Sequence, residues 1–327
     1  MNKKLLKFFI NLNPNKKKRA ILRNKYLGQE FPQSETGEYN ELMYRNHANY
    51  KYIYADQEGE DLIYNELCLD KPSLICRFGS LELDQLDQFI TNNKDRIYNF
   101  TNKNMIYNNA GFFPITDKAI SRFASEMLDI VPNIDILGIS YLEAEFKIME
   151  KFAKNYKLTT CESIELNNVQ SNNPWTKYLK DKNVLIIHPF IETMKSQYEK
   201  RKYLFKNENI LPDCNLKFIK AVQSIADEKS QLPFKTWFEA LDYMKSEIDK
   251  IDFDIAIIGC GAYGMFLADY CKRLGKKAVH MGGATQLLFG IKGKRYDNLG
   301  IYNEYWVRPS ENEKPKGLEK VEGGCYW

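Results

Sequence analysis

The clearest indication of chemistry in the sequence is a glycine-rich turn in its C-terminal third. Gly259, Gly261 and Gly264 follow the pattern G-x-G-x-x-G. A β-branched run before them predicts a buried strand, and the amphipathic stretch after them predicts a helix. In that setting the glycines let the backbone approach a diphosphate at the N-terminus of the helix. The turn therefore predicts a phosphate-bearing ligand, and the alternative is a structural turn that binds nothing.

A dinucleotide site normally adds an Asp or Glu about 20 residues further on, at the end of the second strand. Here Lys277–Met281 predicts that strand, which ends with His280 and Met281 and is followed by two glycines. The absence of a carboxylate there argues against NAD as the ligand, but it does not exclude another nucleotide.

A second polar group follows another predicted strand, Ser73–Cys76. Arg77 and Gly79 come directly after it, and Ser80 is placed to cap the next helix. The planar guanidinium of Arg77 suits a diphosphate. Glu82 could ligate a divalent cation that bridges a diphosphate, or it could complement the dipole of its helix.

Two of the three histidines also end predicted strands, His188 and His280. Each could donate to a phosphate, ligate a metal or act as a base, or be satisfied by backbone groups. Glu143 begins the helix after a further strand, and either Glu143 or His188 could assist an acceptor hydroxyl. Because the carboxyl ends of parallel strands share one edge of a sheet, we expect these side chains to meet there.

Three cations follow the glycine turn on a glycine-flanked loop: Lys292, Lys294 and Arg295. Their spacing does not fit a P-loop, in which Lys and Ser or Thr follow the second glycine. The loop predicts a flexible basic lid over phosphates, and the alternative is a solvated surface loop.

The elements that position these residues alternate between strand and helix from residue 73 to residue 281. That alternation predicts an α/β fold with a mainly parallel sheet and helices on both faces. We expect residues 59–295 to form this domain. Residues 1–58 are then a basic N-terminal segment with an irregular lead-in, and residues 296–327 a tail that wraps the surface.

Composition excludes several classes of protein. The net charge is +4, and Lys and Arg are concentrated in the first 27 residues, which contain no Asp or Glu. The remainder is slightly acidic, so no nucleic-acid partner is expected. The N-terminal bases alternate with apolar residues, which predicts peripheral contact with an anionic membrane or a flexible basic tail. Seven cysteines without a C-x-x-C pair indicate the reducing cytoplasm, with neither a disulfide framework nor a zinc site.

The run from Arg77 to Glu82, Arg-Phe-Gly-Ser-Leu-Glu, and the glycine turn resemble the bacterial GT-D-type glycosyltransferases over roughly residues 70–295. That family typically has Arg-Phe-Gly-Asp-Gly-Glu, whose Asp-x-Glu is taken to hold a divalent metal on a nucleotide-sugar diphosphate. Ser80 stands at the Asp position, so Glu82 alone carries over as a ligand for Mn²⁺ or Mg²⁺. Asp84 or a histidine is a candidate replacement.

The segments 282–290 and 322–327 resemble a divergent branch found in capsule, lipopolysaccharide and exopolysaccharide gene clusters. The resemblance implies a Rossmann-like, GT-D-like fold and a cytoplasmic or inner-membrane-associated enzyme. It also implies a nucleotide-sugar donor, UDP-linked by default, and a polysaccharide or lipid-linked glycan acceptor. Two alternatives stay open, an NAD- or S-adenosylmethionine-dependent enzyme and a non-catalytic nucleotide-sugar-binding subunit.

Overall fold

A single parallel sheet organises the chain. The structure, a computed structural model, describes residues 52–92, 100–165 and 171–327. The strands are β1 (Ile53–Tyr54), β2 (Ser73–Arg77), β3 (Ile136–Ile139), β4 (Lys157–Thr160), β5 (Asn183–His188), β6 (Asn215–Lys220), β7 (Ile255–Ile258) and β8 (Lys277–His280). They form one eight-stranded sheet in the order β1-β4-β3-β2-β8-β7-β5-β6, in which every neighbouring pair is parallel.

Helices connect most of these strands. In chain order they are α1 (Asp56–Cys68), α2 (Ser80–Asn92), α3 (Lys103–Asn109), α4 (Asp117–Ile130), α5 (Glu143–Phe152), α6 (Cys161–Glu165), α7 (Ile191–Tyr198), α8 (Arg201–Leu204), α9 (Trp237–Ile248), α10 (Tyr263–Arg273) and α11 (Thr285–Leu288). Short 3-10 turns lie at Val131–Asn133, Trp175–Leu179, Glu228–Gln231, Gly282–Ala284, Lys294–Leu299, Glu311–Glu313 and Leu318–Lys320.

The strands β2, β3, β5 and β7 are buried on both faces, which explains why they read as continuous apolar runs. Successive side chains of a strand point to opposite faces, so Leu185 and Ile187 of β5 join one core layer and Val184 and Ile186 join the other. Helices α2, α4, α5, α9 and α10 contribute to the first layer, and α1, α7 and α11 contribute to the second. The predicted α/β fold with helices on both faces of a parallel sheet is confirmed.

The sheet has a switch point between β5 and β7, which are neighbours. The chain leaves β5 toward the edge strand β6, whereas it leaves β7 toward β8 on the opposite side. The two connections diverge, and a crevice opens outside the carboxyl ends of the two strands. Ligands of open α/β sheets bind in such crevices. His188 ends β5, and Gly259 directly follows β7.

One local prediction was wrong in detail. Ser80 is the first helical residue rather than the cap, since the carbonyl of Gly79 accepts the first bond of α2, from the N–H of Leu83 at 2.9 Å.

The two ends of the chain contribute differently. The basic segment 1–27 lies outside the described residues, so its contact with a membrane stays a prediction. Within the described ranges, no helix combines the length and apolar character that a bilayer span requires. The tail expected to wrap the surface also contributes buried side chains, among them Trp306, Val321 and Cys325.

Candidate functional site

A cavity of about 190 Å³ opens at the carboxyl edge of the sheet, over the switch point. It is bordered by residues that follow β2, β5, β6, β7 and β8 and by the end of the C-terminal tail. The cavity brings together most of the residues selected from the sequence: Arg77, Gly79, Ser80, Glu82, His188, Gly259, Gly261, His280 and Arg295.

Glu143 is a predicted site residue that the structure does not bring to the cavity. It is the first residue of α5, its side chain is 71% exposed, and it pairs with Lys147 at 2.6 Å. Glu145, two residues on, turns inward instead and accepts the backbone N–H groups of Ser140 and Leu142, each through a bond of 3.0 Å. The expected role of Glu143 at an acceptor hydroxyl is therefore corrected, because the helix directs it to solvent.

One of the three cations in the predicted basic lid lines the cavity. Lys292 and Lys294 are not among the lining residues, whereas Arg295 is. The backbone of Lys292 is tied to Val307, and the exposed side chain of Lys294 approaches the carbonyl of Gly323 at 3.4 Å. Expected phosphate contacts of these two lysines are corrected accordingly, since neither side chain lines the cavity.

The glycine turn owes its shape to two different constraints. Gly261 has a φ of +57°, a conformation that glycine adopts without strain. Gly264 does not line the cavity, and a Cβ placed there would be 2.1 Å from Cε1 of His280. The third glycine of the pattern thus allows α10 to pack closely on β8, so its role is packing rather than direct ligand contact.

Tyr263 holds the start of α10 in place, a role that the sequence analysis did not identify. Its ring stacks on Trp237 with centroids 4.7 Å apart, and its hydroxyl bonds the hydroxyl of Ser224 at 2.9 Å. Ser224 in turn donates to the carbonyl of Gly111 at 2.7 Å. The glycine turn is therefore held against the loop after β6, which forms the opposite wall of the cavity.

His188 is a hydrogen-bond donor to the cavity. The backbone N–H of Phe190 donates to its Nδ1 at 3.0 Å, so the proton of the neutral ring is on Nε2. Burial lowers the pKa of His188 to about 3, which keeps the ring neutral near pH 7. The expectation of a general base at His188 is corrected, because the basic nitrogen already accepts a backbone bond.

We expect NMR to find His188 as the Nε2–H tautomer, with no titration between pH 5 and pH 8. Its pKa is lower in the folded state than in the unfolded state, so neutral burial stabilises the fold above the unfolded pKa of about 6.5. That contribution is lost as the pH falls toward the folded value. Ring ¹⁵N shifts recorded against pH would measure both properties, and a protonated Nδ1 at pH 7 would contradict the assignment.

Burial also keeps His280 neutral, but its ring proton is on Nδ1 rather than on Nε2. Burial and the nearby charge of Arg77 lower its pKa to about 3. Its Nδ1 lies 3.3 Å from the carbonyl of Ile258, which can only accept, so Nδ1 carries the proton. His280 thus links the end of β8 to β7 beside the glycine turn.

Arg77 is the most enclosed cation of the cavity. It ends β2, its Nε lies 3.2 Å from a carboxylate oxygen of Glu165, and its side chain is 24% exposed. Burial opposes its charge, while Cys161 and the carboxylates of Glu165 and Glu82 raise its pKa further, so it stays protonated. A Cβ at Gly282 would lie 2.9 Å from the Nη1 of Arg77, so glycine leaves room for the guanidinium there.

The end of the tail forms part of the cavity wall, which the sequence reasoning did not assign. Tyr326 accepts a bond from Nη1 of Arg295 at 2.9 Å, and its ring packs where a Cβ of Gly283 would otherwise lie. Trp327 meets Phe190 edge to face at 5.0 Å. The available signal was the aromatic pair that ends a glycine-containing segment, but nothing local to it indicates which surface it contacts.

The sequence and the fold were compared with those of known proteins. A sequence profile of the GT-D fold-like domain matches residues 61–288. The chain belongs to the GT-D-like family. A structure solved with selenomethionine, of domain of unknown function 1792, is similar to this chain with a TM-score of 0.44 and 10% identity, over 81% of this chain and 90% of that one. No curated protein matches the chain.

Membership of the GT-D-like family indicates a glycosyltransferase-type function, and it raises the question of the metal implied by the first motif. Within residues 52–92, 100–165 and 171–327, no group of three His, Cys, Asp or Glu side chains could hold a metal ion. Glu82 lines the cavity, but Asp84 instead accepts from Asn102 and Gln85, each at 3.1 Å. This motif therefore supplies one carboxylate to the cavity, Glu82, where the family pattern has a pair.

Proposed function

We propose that the protein is a glycosyltransferase that moves a sugar from a nucleotide-sugar donor, UDP-linked by default, to a cell-surface polysaccharide or lipid-linked glycan. The observation that carries this proposal is the common cavity of Arg77, Arg295 and the glycine turn at the switch point of a GT-D-like sheet. Cations and a helix N-terminus at one site suit a diphosphate leaving group.

The donor diphosphate would lie between Arg77 and the turn from Gly259 to Gly264. As the bond between the anomeric carbon and the phosphate oxygen breaks, negative charge develops on the diphosphate. Arg77 and Arg295 stabilise that charge, and the Nε2–H of His188 adds a neutral donor. These donors are in place before the reaction, so little reorganisation is needed when the bond breaks.

The acceptor oxygen forms the new bond to the anomeric carbon and must lose its proton. Glu82 and Glu322 are the carboxylates among the described residues that line the cavity. Burial raises the pKa of Glu82, with Arg77 acting against this and Glu322 adding to it. A carboxylate with a raised pKa is a better proton acceptor near neutral pH. We assign Glu82 as the base in this proposal.

The choice of acceptor also bears on the cellular location of the enzyme. A lipid-linked glycan would bring the cytoplasmic enzyme to the inner face of the membrane, and the basic segment 1–27 could provide that contact. Deleting this segment should weaken binding to anionic vesicles and leave nucleotide binding intact. Unchanged vesicle binding would remove the membrane part and leave the transferase reaction in place.

A thermal-shift panel tests the donor. Ligand at 100 times its dissociation constant should stabilise the fold by about 2.7 kcal/mol, so selectivity among UDP, UDP-sugars, GDP, NAD and S-adenosylmethionine would be visible. We expect a shift with a nucleoside diphosphate or its sugar. A shift confined to NAD or S-adenosylmethionine would overturn the proposal, and donor binding without sugar transfer or donor hydrolysis would indicate a non-catalytic subunit.

Arg295 and Lys294 provide a matched pair for the same assay. They are adjacent cations, but only Arg295 is among the residues that line the cavity. Arg295→Ala should weaken nucleotide binding by about tenfold through loss of a charge-assisted bond. Lys294→Ala should leave it unchanged, and equal effects would indicate nonspecific attraction to the loop.

A further inference from the structure

We propose that this site holds the donor diphosphate with guanidinium groups and without a divalent metal. This inference rests on the proposed function, since it concerns how the same cavity neutralises its ligand. It departs from the metal-binding Asp-x-Glu pattern of related sequences, and it follows from the placement of three carboxylates and two arginines.

Glu82 is the carboxylate that the family pattern would give to a metal, and here its side chain lies over the start of its own helix. Its side chain folds back over Gly79, where an added Cβ would be 2.1 Å from Oε2. In the first turn of α2 it complements the helix dipole. A metal would have to draw it away from that position, and it would find no aspartate at position 80 to complete the pair.

The two other acidic side chains of this region are also engaged. Asp84 accepts bonds from the side chains of Gln85 and Asn102 and does not line the cavity. Glu322 lines it, but its Oε2 lies 3.7 Å from Nη2 of Arg295 and accepts from the thiol of Cys325 at 3.4 Å. Glu82 and Glu322 therefore do not present a ready set of metal ligands.

The arginines are placed to supply the missing positive charge. Arg77 forms an ion pair with Glu165 through its Nε, while its Nη1 lies beside Gly282 in the cavity wall. Arg295 is fixed through Nη1 by the hydroxyl of Tyr326. The planar forks of the two guanidinium groups suit the phosphate oxygens of a nucleotide sugar. The tail contributes to this arrangement by orienting Arg295.

Calorimetry with UDP, GDP and inorganic pyrophosphate, each with Mn²⁺ and with a chelator, tests the inference on the full chain. We expect the dissociation constant of the tightest of these ligands to agree within about twofold between the two conditions. Mn²⁺ electron paramagnetic resonance gives a second readout. The signal of free Mn²⁺ in the presence of nucleotide should not decrease when the protein is added.

Binding that is at least about tenfold tighter with Mn²⁺ would overturn the inference and leave the proposed donor site standing. Glu322→Gln would then show whether the tail carboxylate completes a metal site with Glu82, since it would abolish the Mn²⁺ dependence. Absence of binding under both conditions would overturn the donor site and this inference together.

Discussion

Arg77→Met should weaken nucleoside-diphosphate binding by about 100-fold, equivalent to about 2.7 kcal/mol, because it removes two charge-assisted bonds from an enclosed site. Arg77→Lys keeps the charge but loses the planar fork, so about a tenfold loss is expected. Lys220→Met is a suitable control, because Lys220 also ends a strand at this edge of the sheet but does not line the cavity. Calorimetry with UDP measures all three.

The fold must survive these changes for the result to be informative. Arg77→Met also removes the ion pair with Glu165, whose side chain is 17% exposed, so some stability will be lost. Arg77→Met combined with Glu165→Gln removes both charges and should recover part of that stability without recovering binding. Wild-type affinity in Arg77→Met would show that the diphosphate is held elsewhere.

Gly264→Ala should lower the free energy of unfolding by about 3 kcal/mol, at the upper end of the usual cost of overpacking. The added methyl group would lie 2.1 Å from Cε1 and 2.2 Å from Nδ1 of the His280 ring. That ring is 4% exposed and ends a strand paired on both sides, so it has little room to move. Urea unfolding followed by circular dichroism would measure the loss.

Two further variants separate packing from backbone strain. Gly261→Ala meets only the carbonyl of Ala110, at 3.7 Å, so its cost comes from the positive φ and should be about 1 kcal/mol. Gly264→Ala combined with His280→Ala removes the ring that the methyl group would strike and should recover stability relative to Gly264→Ala alone. Full stability of Gly264→Ala, or no recovery in the double variant, would contradict the packing role.

Much of the architecture could be predicted because its signals are local. The apolar runs of β2, β5 and β7 identify strands that are covered on both faces, and the glycines around residue 261 mark a turn into a helix. By contrast, β1 and β4 are two and four residues long, and β4 begins with an exposed lysine. Their pairing along the sheet edge, rather than any local pattern, makes them strands.

The sequence by itself therefore determined the alternation of strands and helices, the parallel sheet and the edge at which Arg77, His188 and the glycine turn meet. Only the tertiary structure decided which nearby side chains face that edge. Helix α5 directs Glu143 to solvent and Glu145 to the interior, and the tail returns Tyr326 to Arg295 from 31 residues away. Periodicity along the chain reports burial within an element, whereas contacts between distant segments depend on how the elements pack.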